Sequence, residues 1–550
     1  MKSILKLFSE HSTFIQPDAL KYISSKENPN EFASFLVKNL KEYPLILTFE
    51  NIKHIEESAK IKEIPKLDDN LLEKKEVQNK ILFEIYNSNV LIEEVSNNDE
   101  YDDTDLEDQL ESDIEDIEKK APQTLKITAV KGWKPLSKEY ESEIEILEDI
   151  TGNSTCKGTT QDFVKLFRDR FNVLHKILRS QRREMVNTIP INRIKKSLSD
   201  VQLVGIVKSV KTTINGHRLI EIEDETGTAT LMALKNYNEI SQLANEVIVD
   251  EVIGVVGKIS KNGDLIIIQN IVFPDIKLQH DKNRAEVPVC VAFLSDIHMG
   301  SNMFMKDEWN AFLKWINGSL GNSRQKDVAS KIKYLILPGD LADGIGIYPD
   351  QEKELSISNI YEQYDALAKQ LELIPDHISI VLQPGNHDAV RPAEPQPTFE
   401  KEIRDLFSGR ELLFVGNPCY LSAHSVEILS YHGQSLLDFS TNIQYLNYNE
   451  PTEVMKIMLK KRHLAPAYGG YTPLAPEHTD HMIIDKVPDI FVTGHVHIAN
   501  IDNYRGVTLI NASSWQAQTS YQKMLNFIPD SAKLPIVNLK TGNATTMDFN

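Results

Sequence analysis

Five short clusters of aspartate, histidine and asparagine recur in the C-terminal half of the chain, each at the end of an apolar run. The clusters are Ser295-Asp296-Ile297-His298, Pro338-Gly339-Asp340, Pro384-Gly385-Asn386-His387-Asp388, Tyr431-His432-Gly433 and Thr493-Gly494-His495-Val496-His497. Carboxylate, amide and imidazole donors without thiolates suit divalent first-row metals such as manganese, iron or zinc. Seven such donors exceed the needs of one ion but fit two ions that share a bridging carboxylate. The predicted chemistry is metal-assisted phosphoester hydrolysis.

The apolar segments that precede these clusters predict the strands that position them. We expect strands at 287–294, 334–337, 378–382, 426–430, 490–492 and 507–510. Helical stretches between them, such as 309–316 and 357–373, make residues 286–550 an α/β pattern. Near-continuous apolar strands are typical of sheets buried on both faces, and active sites form at their carboxyl ends, so the clusters should converge. One cluster alone would be an ordinary turn or cap, but five in succession are not a coincidence.

Residues 200–280 change to a period-two pattern that predicts a β-barrel. Alternating strands are expected at 201–210, 218–222, 228–234, 252–259 and 265–272, with a helix at 238–245. Five strands with a helix between the third and the fourth match the OB fold, which often binds single-stranded nucleic acid and also serves as a docking scaffold.

The segment before the barrel, residues 156–199, contains a basic amphipathic helix at 161–183. Its first residues, 161–167, loosely resemble a sliding-clamp-binding peptide. They lack the second aromatic residue of that pattern, so an ordinary packed helix is favoured over a clamp contact.

The N-terminal part divides into a small helical module, residues 1–55, and a flexible acidic linker, residues 56–155. The module is predicted from apolar residues at helical spacing: Phe32, Phe35, Leu36 and Leu40. In the linker, fourteen of the 26 residues between 93 and 118 are Asp or Glu. Self-repulsion and low hydrophobicity keep such a segment solvated. The formal net charge of −20 is therefore concentrated in the linker and does not exclude a nucleic-acid ligand.

The cysteine usage predicts a reducing compartment. Cys156, Cys290 and Cys419 are few and widely spaced, which is not the pattern of a disulfide framework or of a zinc finger. No apolar segment approaches the roughly 18 residues needed to cross a bilayer, and the N-terminus lacks the features of a signal peptide. We expect a cytoplasmic protein without a membrane partner.

The order of the five clusters resembles the calcineurin-like metallophosphoesterase superfamily, whose pattern is reproduced over about residues 290–500. The resemblance implies two ligand sets and a bridge, namely Asp296, His298 and His497 for one metal, Asn386, His432 and His495 for the other, and Asp340 between them. It also implies that His387 is a non-ligand histidine that stabilises the transition state or protonates the leaving oxygen. No ligand is missing, so an active site with two divalent cations is expected, manganese before magnesium, iron or zinc.

Flanking segments at 387–397, 462–470 and 512–519 are similar to the small, exonuclease subunit of archaeal family D DNA polymerase. The order of helical module, variable linker, OB barrel and phosphoesterase domain also resembles that family. The resemblance implies a 3′-to-5′ exonuclease that acts on DNA beside a large polymerase subunit, in a heterodimer or heterotetramer. Arg391, in the first of these segments, either binds a DNA phosphate or pairs with Glu394.

Two other functions stay open. The same ligands serve phosphoprotein or small-molecule metallophosphatases, because such a site cleaves monoesters and diesters alike. The architecture also resembles the non-catalytic B subunits of eukaryotic replicative polymerases, which have lost metal ligands. The barrel and the flanking segments favour DNA, and the complete ligand set favours a nuclease.

Overall fold

The computed structural model describes residues 133–195, 200–263 and 265–550, with isolated positions between 14 and 47. The chain divides into two units, Met1–Lys126 and Ile127–Asn550. In the first unit, β1 (Phe14–Ile15) and β2 (Ile46–Leu47) pair in parallel, which the helical pattern does not predict. Phe32 and Phe35 are helical there, as predicted, with rings stacked 6.1 Å apart. The acidic segment 93–118 lies outside the described residues.

The second unit consists of a barrel and two further sheets with helices around them. Its strands in chain order are β3 (Ile144–Asp149), β4 (Asp200–Thr212), β5 (Arg218–Asp224), β6 (Gly227–Ala233), β7 (Val252–Ile259), β8 (Ile266–Val272), β9 (Cys290–Phe293), β10 (Ile332–Pro338), β11 (Ser379–Gln383), β12 (Leu413–Phe414), β13 (Cys419–Ala423), β14 (Val426–Ser430), β15 (Ile490–Thr493), β16 (Asn500–Tyr504), β17 (Val507–Asn511), β18 (Lys533–Asn538) and β19 (Ala544–Asp548). Its α-helices are α1 (Thr160–Gln181), α2 (Asn238–Asn245), α3 (Lys306–Ile316), α4 (Ser323–Lys331), α5 (Ile360–Leu371), α6 (Lys401–Asp405), α7 (Leu436–Asn442), α8 (Pro451–Lys461) and α9 (Ser520–Met524). Within the described part of the chain, no helix has the length and apolar character to cross a membrane.

Strands β4 to β8 close into a barrel in the order β4-β5-β6-β8-β7. The pairs are antiparallel except β6 with β8, which is parallel. Alternate side chains such as Leu203, Ile220 and Leu231 fill the interior, which is why the period-two pattern located all five strands. Helix α2 lies between the third and fourth strands of the barrel, where the sequence predicts it.

The C-terminal body is built from two six-stranded sheets, β12-β11-β10-β9-β18-β19 and β16-β17-β15-β14-β13-β3. One apolar cluster contains side chains from both sheets, including Phe293 and Ile336 from the first and Ile428 and Val492 from the second, so the sheets pack face to face. Further clusters join the outer faces to helices, α3 and α5 on the first sheet and α7 and α8 on the second. Both sheets are therefore buried on two faces, as their apolar strands predict.

The predicted linker, residues 56–155, extends too far. Residues 133–155 are ordered, and Ile144–Asp149 form β3, which pairs antiparallel with β13 at the edge of the second sheet. The charged side chain of Glu145 remains exposed, whereas Ile144 packs on the cluster between the sheets. Because an edge strand tolerates acidic side chains on its solvent side, composition alone made this strand look like linker.

Helix α1 begins at a capping box in which the Thr159 and Asp162 side chains each bond the other residue's backbone N–H. Its apolar face joins the barrel to the body, because Leu174 and Leu178 share a cluster with Val204 of the barrel and Ile483 of the body. Phe163, in the stretch that loosely resembles a clamp-binding peptide, packs edge-on against Tyr468 with ring centroids 4.8 Å apart. These contacts are those of a packed helix.

Candidate metal centre

The seven predicted metal ligands and His387 lie in loops that follow five strands. The loops contain Asp296 and His298 after β9, Asp340 after β10, Asn386 and His387 after β11, His432 after β14, and His495 and His497 after β15. β9, β10 and β11 are parallel neighbours in one sheet, as are β14 and β15 in the other. Their carboxyl ends therefore meet, and all eight side chains come together.

The first group of donors consists of Asp296, His298 and His497. The Nε2 atoms of His298 and His497 face each other at 3.1 Å, and Asp296 Oδ1 lies 3.3 Å from His497 Nε2. Nitrogen ligands about 2 Å from one ion stand roughly 3.3 Å apart in a tetrahedral arrangement. These three residues therefore fit a shared divalent cation.

The second group consists of Asp340, His432 and His495, with Asn386 beside them. His432 Nε2 lies 2.9 Å from Asn386 Oδ1, 3.3 Å from His495 Nδ1 and 3.3 Å from Asp340 Oδ2. Asp340 Oδ2 also lies 3.8 Å from His298 Nε2, in the first group. One carboxylate oxygen thus stands between both groups, as expected of a bridging ligand.

The backbone adopts a left-handed conformation at five of the seven predicted ligands. The φ angles are 53° at Asp296, 50° at His298, 50° at Asp340, 68° at His495 and 59° at His497. Such conformations cost roughly 1–3 kcal/mol each outside glycine and occur mainly where function requires them. They direct successive side chains of each short loop into the same cluster.

Two glycines let the backbone approach the carboxylates. A Cβ atom at Gly385 would collide with the carboxylate of Asp340, and one at Gly494 would collide with that of Asp296. This close approach allows a hydrogen bond, in which the backbone N–H of His387 donates to Asp340 Oδ1 at 2.9 Å. Larger residues at these positions would displace the carboxylates.

Asp343, which the sequence analysis missed, orients two of the histidines. Its Oδ1 accepts a hydrogen bond from His298 Nδ1 at 3.0 Å, and its carbonyl oxygen accepts one from His387 Nδ1 at 2.7 Å. Gln516 Nε2 donates to the same carboxylate at 2.9 Å. Both rings are thereby held with Nε2 toward the cluster. The signal in the sequence is only an aspartate three residues after Asp340, in the same loop.

The charges in the cluster depend on one another. Burial alone would raise the pKa of the Asp340 carboxyl, but the imidazoles of His432 and His387 hold this pKa well below its usual range. Burial alone would lower the pKa of His432, but the carboxylates of Asp340 and Asp296 raise this pKa to about 10. Burial and the neighbouring His432 lower the pKa of His495 to about 3. Buried carboxylates that attract positive charge in this way suit a cation site.

Arg391 has a structural partner, but it is not Glu394. Its Nη1 donates to Glu477 Oε1 at 2.8 Å, and its Nε donates to the carbonyl oxygen of Pro395 at 3.0 Å. Burial would raise the pKa of Glu477, but the hydrogen bond from Arg391 and further hydrogen-bond donors lower it to about 2. The guanidinium thus joins the loop after β11 to the segment before α1 through Glu477, which also accepts a hydrogen bond from the Thr155 backbone N–H.

We expect Asp343→Ala to weaken Mn²⁺ binding by roughly 10- to 100-fold, because hydrogen-bond partners of metal-binding histidines commonly have effects of this size. Isothermal titration calorimetry of the metal-free chain measures the change. Asp343→Asn keeps an acceptor for His298 and should lose less affinity. Equal affinities for Asp343→Ala and the wild type would contradict the role given to Asp343.

We expect Glu394 to make stability depend on pH. Tyr431 Oη and Asn417 Nδ2 donate to its carboxylate at 2.8 and 3.2 Å, and burial raises its pKa from 4.5 to about 7. Between pH 4.5 and 7, the folded state therefore keeps a proton on Glu394 that the unfolded state has lost. The stabilisation that this proton gives the folded state is complete below pH 4.5 and is lost as the pH rises through 7. Relative to Glu394→Gln, the free energy of unfolding of the wild type should fall by roughly 3 kcal/mol across this window. Chemical denaturation tests this, and parallel pH curves would contradict it.

Comparison with known proteins identifies the family of this chain. A family model for the B subunits of DNA polymerases alpha and epsilon matches residues 291–500. The DNA polymerase II small subunit of Methanocaldococcus jannaschii is 42% identical over 408 residues, covering 74% of this chain and 68% of the relative. Proteins of the same name are 44% identical over 387 residues in Archaeoglobus fulgidus (70% of this chain, 77% of the relative) and 39% identical over 401 residues in Methanothermobacter thermautotrophicus (73% and 82%). The predicted resemblance to the small subunit of archaeal family D DNA polymerase is confirmed, and the chain belongs to the DNA polymerase II small subunits.

Proposed function

We propose that this small subunit is a two-metal 3′-to-5′ exonuclease, which removes single-stranded or mispaired 3′ ends of DNA beside a large subunit that carries DNA synthesis. The observation that carries the proposal is Asp340, whose Oδ2 lies 3.3 Å from His432 Nε2 and 3.8 Å from His298 Nε2, one histidine from each donor group. The donors suit manganese first, with magnesium, iron or zinc as alternatives. Two cations held by these residues would supply Lewis acidity toward a phosphoryl oxygen.

His387 is the proposed proton donor. Its Nδ1 is engaged by the carbonyl oxygen of Asp343, so its Nε2 faces the cluster, 4.0 Å from Asp340 Oδ2. The His387 side chain is 16% exposed, whereas those of His298 and His432 are almost completely buried. A group with this placement meets substrate and can deliver a proton to the leaving oxygen.

The architecture supports a DNA substrate. We interpret the closed five-stranded barrel as an OB fold and the two packed sheets as a calcineurin-like phosphoesterase domain. The domain boundaries are those given by the sequence, except that the linker ends before Trp133. The barrel then offers a surface to the DNA strand or to the large subunit.

The test uses the full-length chain, alone and with its large subunit, with Mn²⁺ and a 5′-labelled primer whose 3′ end is paired or mispaired. We expect shortening from the 3′ end, faster at the mispair, and a loss of about 10²- to 10⁴-fold in His387→Ala. The matched control is His377→Ala, because His377 precedes the first residue of β11, at the end of this strand opposite His387. Hydrolysis of a phosphoserine peptide without cleavage of DNA would select a phosphatase. Normal assembly without hydrolysis of either substrate would select a scaffold.

A further inference from the structure

Exposed apolar side chains surround one side of the metal centre, and they belong to two segments. One is residues 345–348, in the loop after β10, and the other is residues 521–528, in α9 and the turn that follows it. In the second segment Tyr521 is 48% exposed, Met524 77% and Ile528 77%. Large apolar side chains grouped at the edge of a site commonly mark a surface that binds something.

Two tyrosines join these segments. The rings of Tyr348 and Tyr521 stack with centroids 5.9 Å apart and planes 23° from parallel. The hydroxyl of Tyr348 donates to Glu354 Oε2 at 3.1 Å, which fixes its ring. Tyr521, about half exposed, keeps part of its ring open to solvent.

The stacked pair lies directly beside the catalytic groups. The ring centroid of Tyr348 is 6.5 Å from that of His387. Gln522, next to Tyr521 in the chain, places its Nε2 atom 3.1 Å from His497 Nδ1. The ring of Tyr348 therefore lies within about two nucleotide steps of the His387 ring, since one strand of DNA advances about 3.4 Å per nucleotide.

We propose that Tyr348 and Tyr521 form a stacking platform for the unpaired bases of a DNA strand whose 3′-terminal phosphodiester lies in the metal centre. The inference rests on the proposed exonuclease function and adds the feature of DNA that the site recognises. Every base has an aromatic face, so stacking binds single strands without regard to sequence. A protein bound over Tyr348 and Tyr521 would block access to His387 and His497. A DNA strand that binds the two tyrosines and the metal centre together is instead the substrate.

The platform accounts for selection of mispaired ends over paired ones. A base in a duplex is stacked on its neighbours and must be unpaired before it can meet Tyr521. A mispaired end separates at lower cost, so it reaches the platform more often. The exposed cation of Lys523, two residues after Tyr521, stands on the same segment, where a strand's phosphates would pass.

The test compares the full-length wild type with Tyr521→Ala on two single-stranded oligonucleotides, one with ordinary 3′-terminal bases and one abasic at those positions. On the ordinary strand we expect KM to rise about 5- to 100-fold in Tyr521→Ala and to change little in Tyr521→Phe. On the abasic strand the wild type and Tyr521→Ala should have similar KM values, because no base is there to stack. Tyr445→Ala, which removes an exposed tyrosine beside Glu246, is the matched control and should behave as the wild type on both strands.

A binding measurement separates this inference from the proposed function. A strand with 2-aminopurine at its 3′ end should lose fluorescence on binding the wild type and lose less on binding Tyr521→Ala. If the wild type quenches the probe but does not cleave DNA, the exonuclease function fails and the platform stands. The platform is overturned if Tyr521→Ala binds the ordinary strand as the wild type does, or if it loses as much on the abasic strand. It is also overturned if Tyr521→Ala weakens only the affinity for the large subunit.

Discussion

Asp340→Ala is expected to lower hydrolysis of single-stranded DNA by about 10³-fold or more. The variant removes the oxygen that stands between the two donor groups, 3.3 Å from His432 Nε2 and 3.8 Å from His298 Nε2. It also removes the acceptor of the His387 backbone N–H. A loss of several kcal/mol of transition-state stabilisation corresponds to about three powers of ten in rate. Single-turnover cleavage of a 5′-labelled strand with Mn²⁺ measures it.

The matched control for this prediction is Asp405→Ala. Asp405 is exposed at the end of α6, and its carboxylate pairs with Lys401 at 3.4 Å on the surface, so activity should stay within about two-fold of the wild type. Asp340→Asn, which preserves the shape of the side chain, distinguishes loss of charge from a cavity in the site. A folded Asp340→Ala protein that keeps a tenth of wild-type activity would contradict the bridging role of Asp340.

The sequence predicts that the side chains of the candidate ligands lie close together, and it can do so because each position depends on local information. An apolar run predicts a buried strand by itself. The residues directly after it, such as Asp296 and His298, then lie at the carboxyl end of the strand, where the sites of such sheets form. Asp343 was missed for the opposite reason. Its role depends on contacts with His298 and Gln516, 45 and 173 positions away, which no local pattern encodes.

The difference between local patterns and contacts of distant residues also explains where the predicted and observed folds differ. Composition places β3 in the linker because half of its six residues, such as Glu145, are acidic, and its pairing partner β13 lies more than 250 residues later. The aromatic contact of Tyr348 with Tyr521 likewise joins the loop after β10 to α9, two segments far apart in the sequence. What sequence reasoning recovers is thus the interior of each element, and what it misses is the pairing of distant edges and loops.

Arg170→Met is expected to lower the free energy of unfolding by about 3–5 kcal/mol, because it breaks a buried ion pair from one side. The Arg170 side chain is completely buried in α1, and its Nε donates to Asp480 Oδ2 at 2.7 Å. Its Nη1 donates to the carbonyl oxygens of Asp250, beside the barrel strand β7, and Pro466, in the body, at 3.0 and 2.6 Å. One guanidinium therefore connects α1, the barrel and the body.

The loss of stability in Arg170→Met arises because the buried carboxylate of Asp480 remains without its arginine partner. Burial would raise the pKa of Asp480, but Arg170 and His463 hold this pKa well below its usual range. Without Arg170, the buried carboxylate loses its arginine charge and retains His463 Nε2 at 3.0 Å and the Met482 backbone N–H at 3.1 Å. Removing both charges in Arg170→Met/Asp480→Leu should recover part of the loss, since a buried pair replaced by apolar side chains is often close to neutral. Arg168→Met, two residues earlier, removes an exposed arginine that pairs with Glu225 at 3.2 Å, and should change stability by less than about 0.5 kcal/mol. Urea denaturation that gives Arg170→Met and Arg168→Met the same midpoint would show that Arg170 does not hold the barrel and the body together.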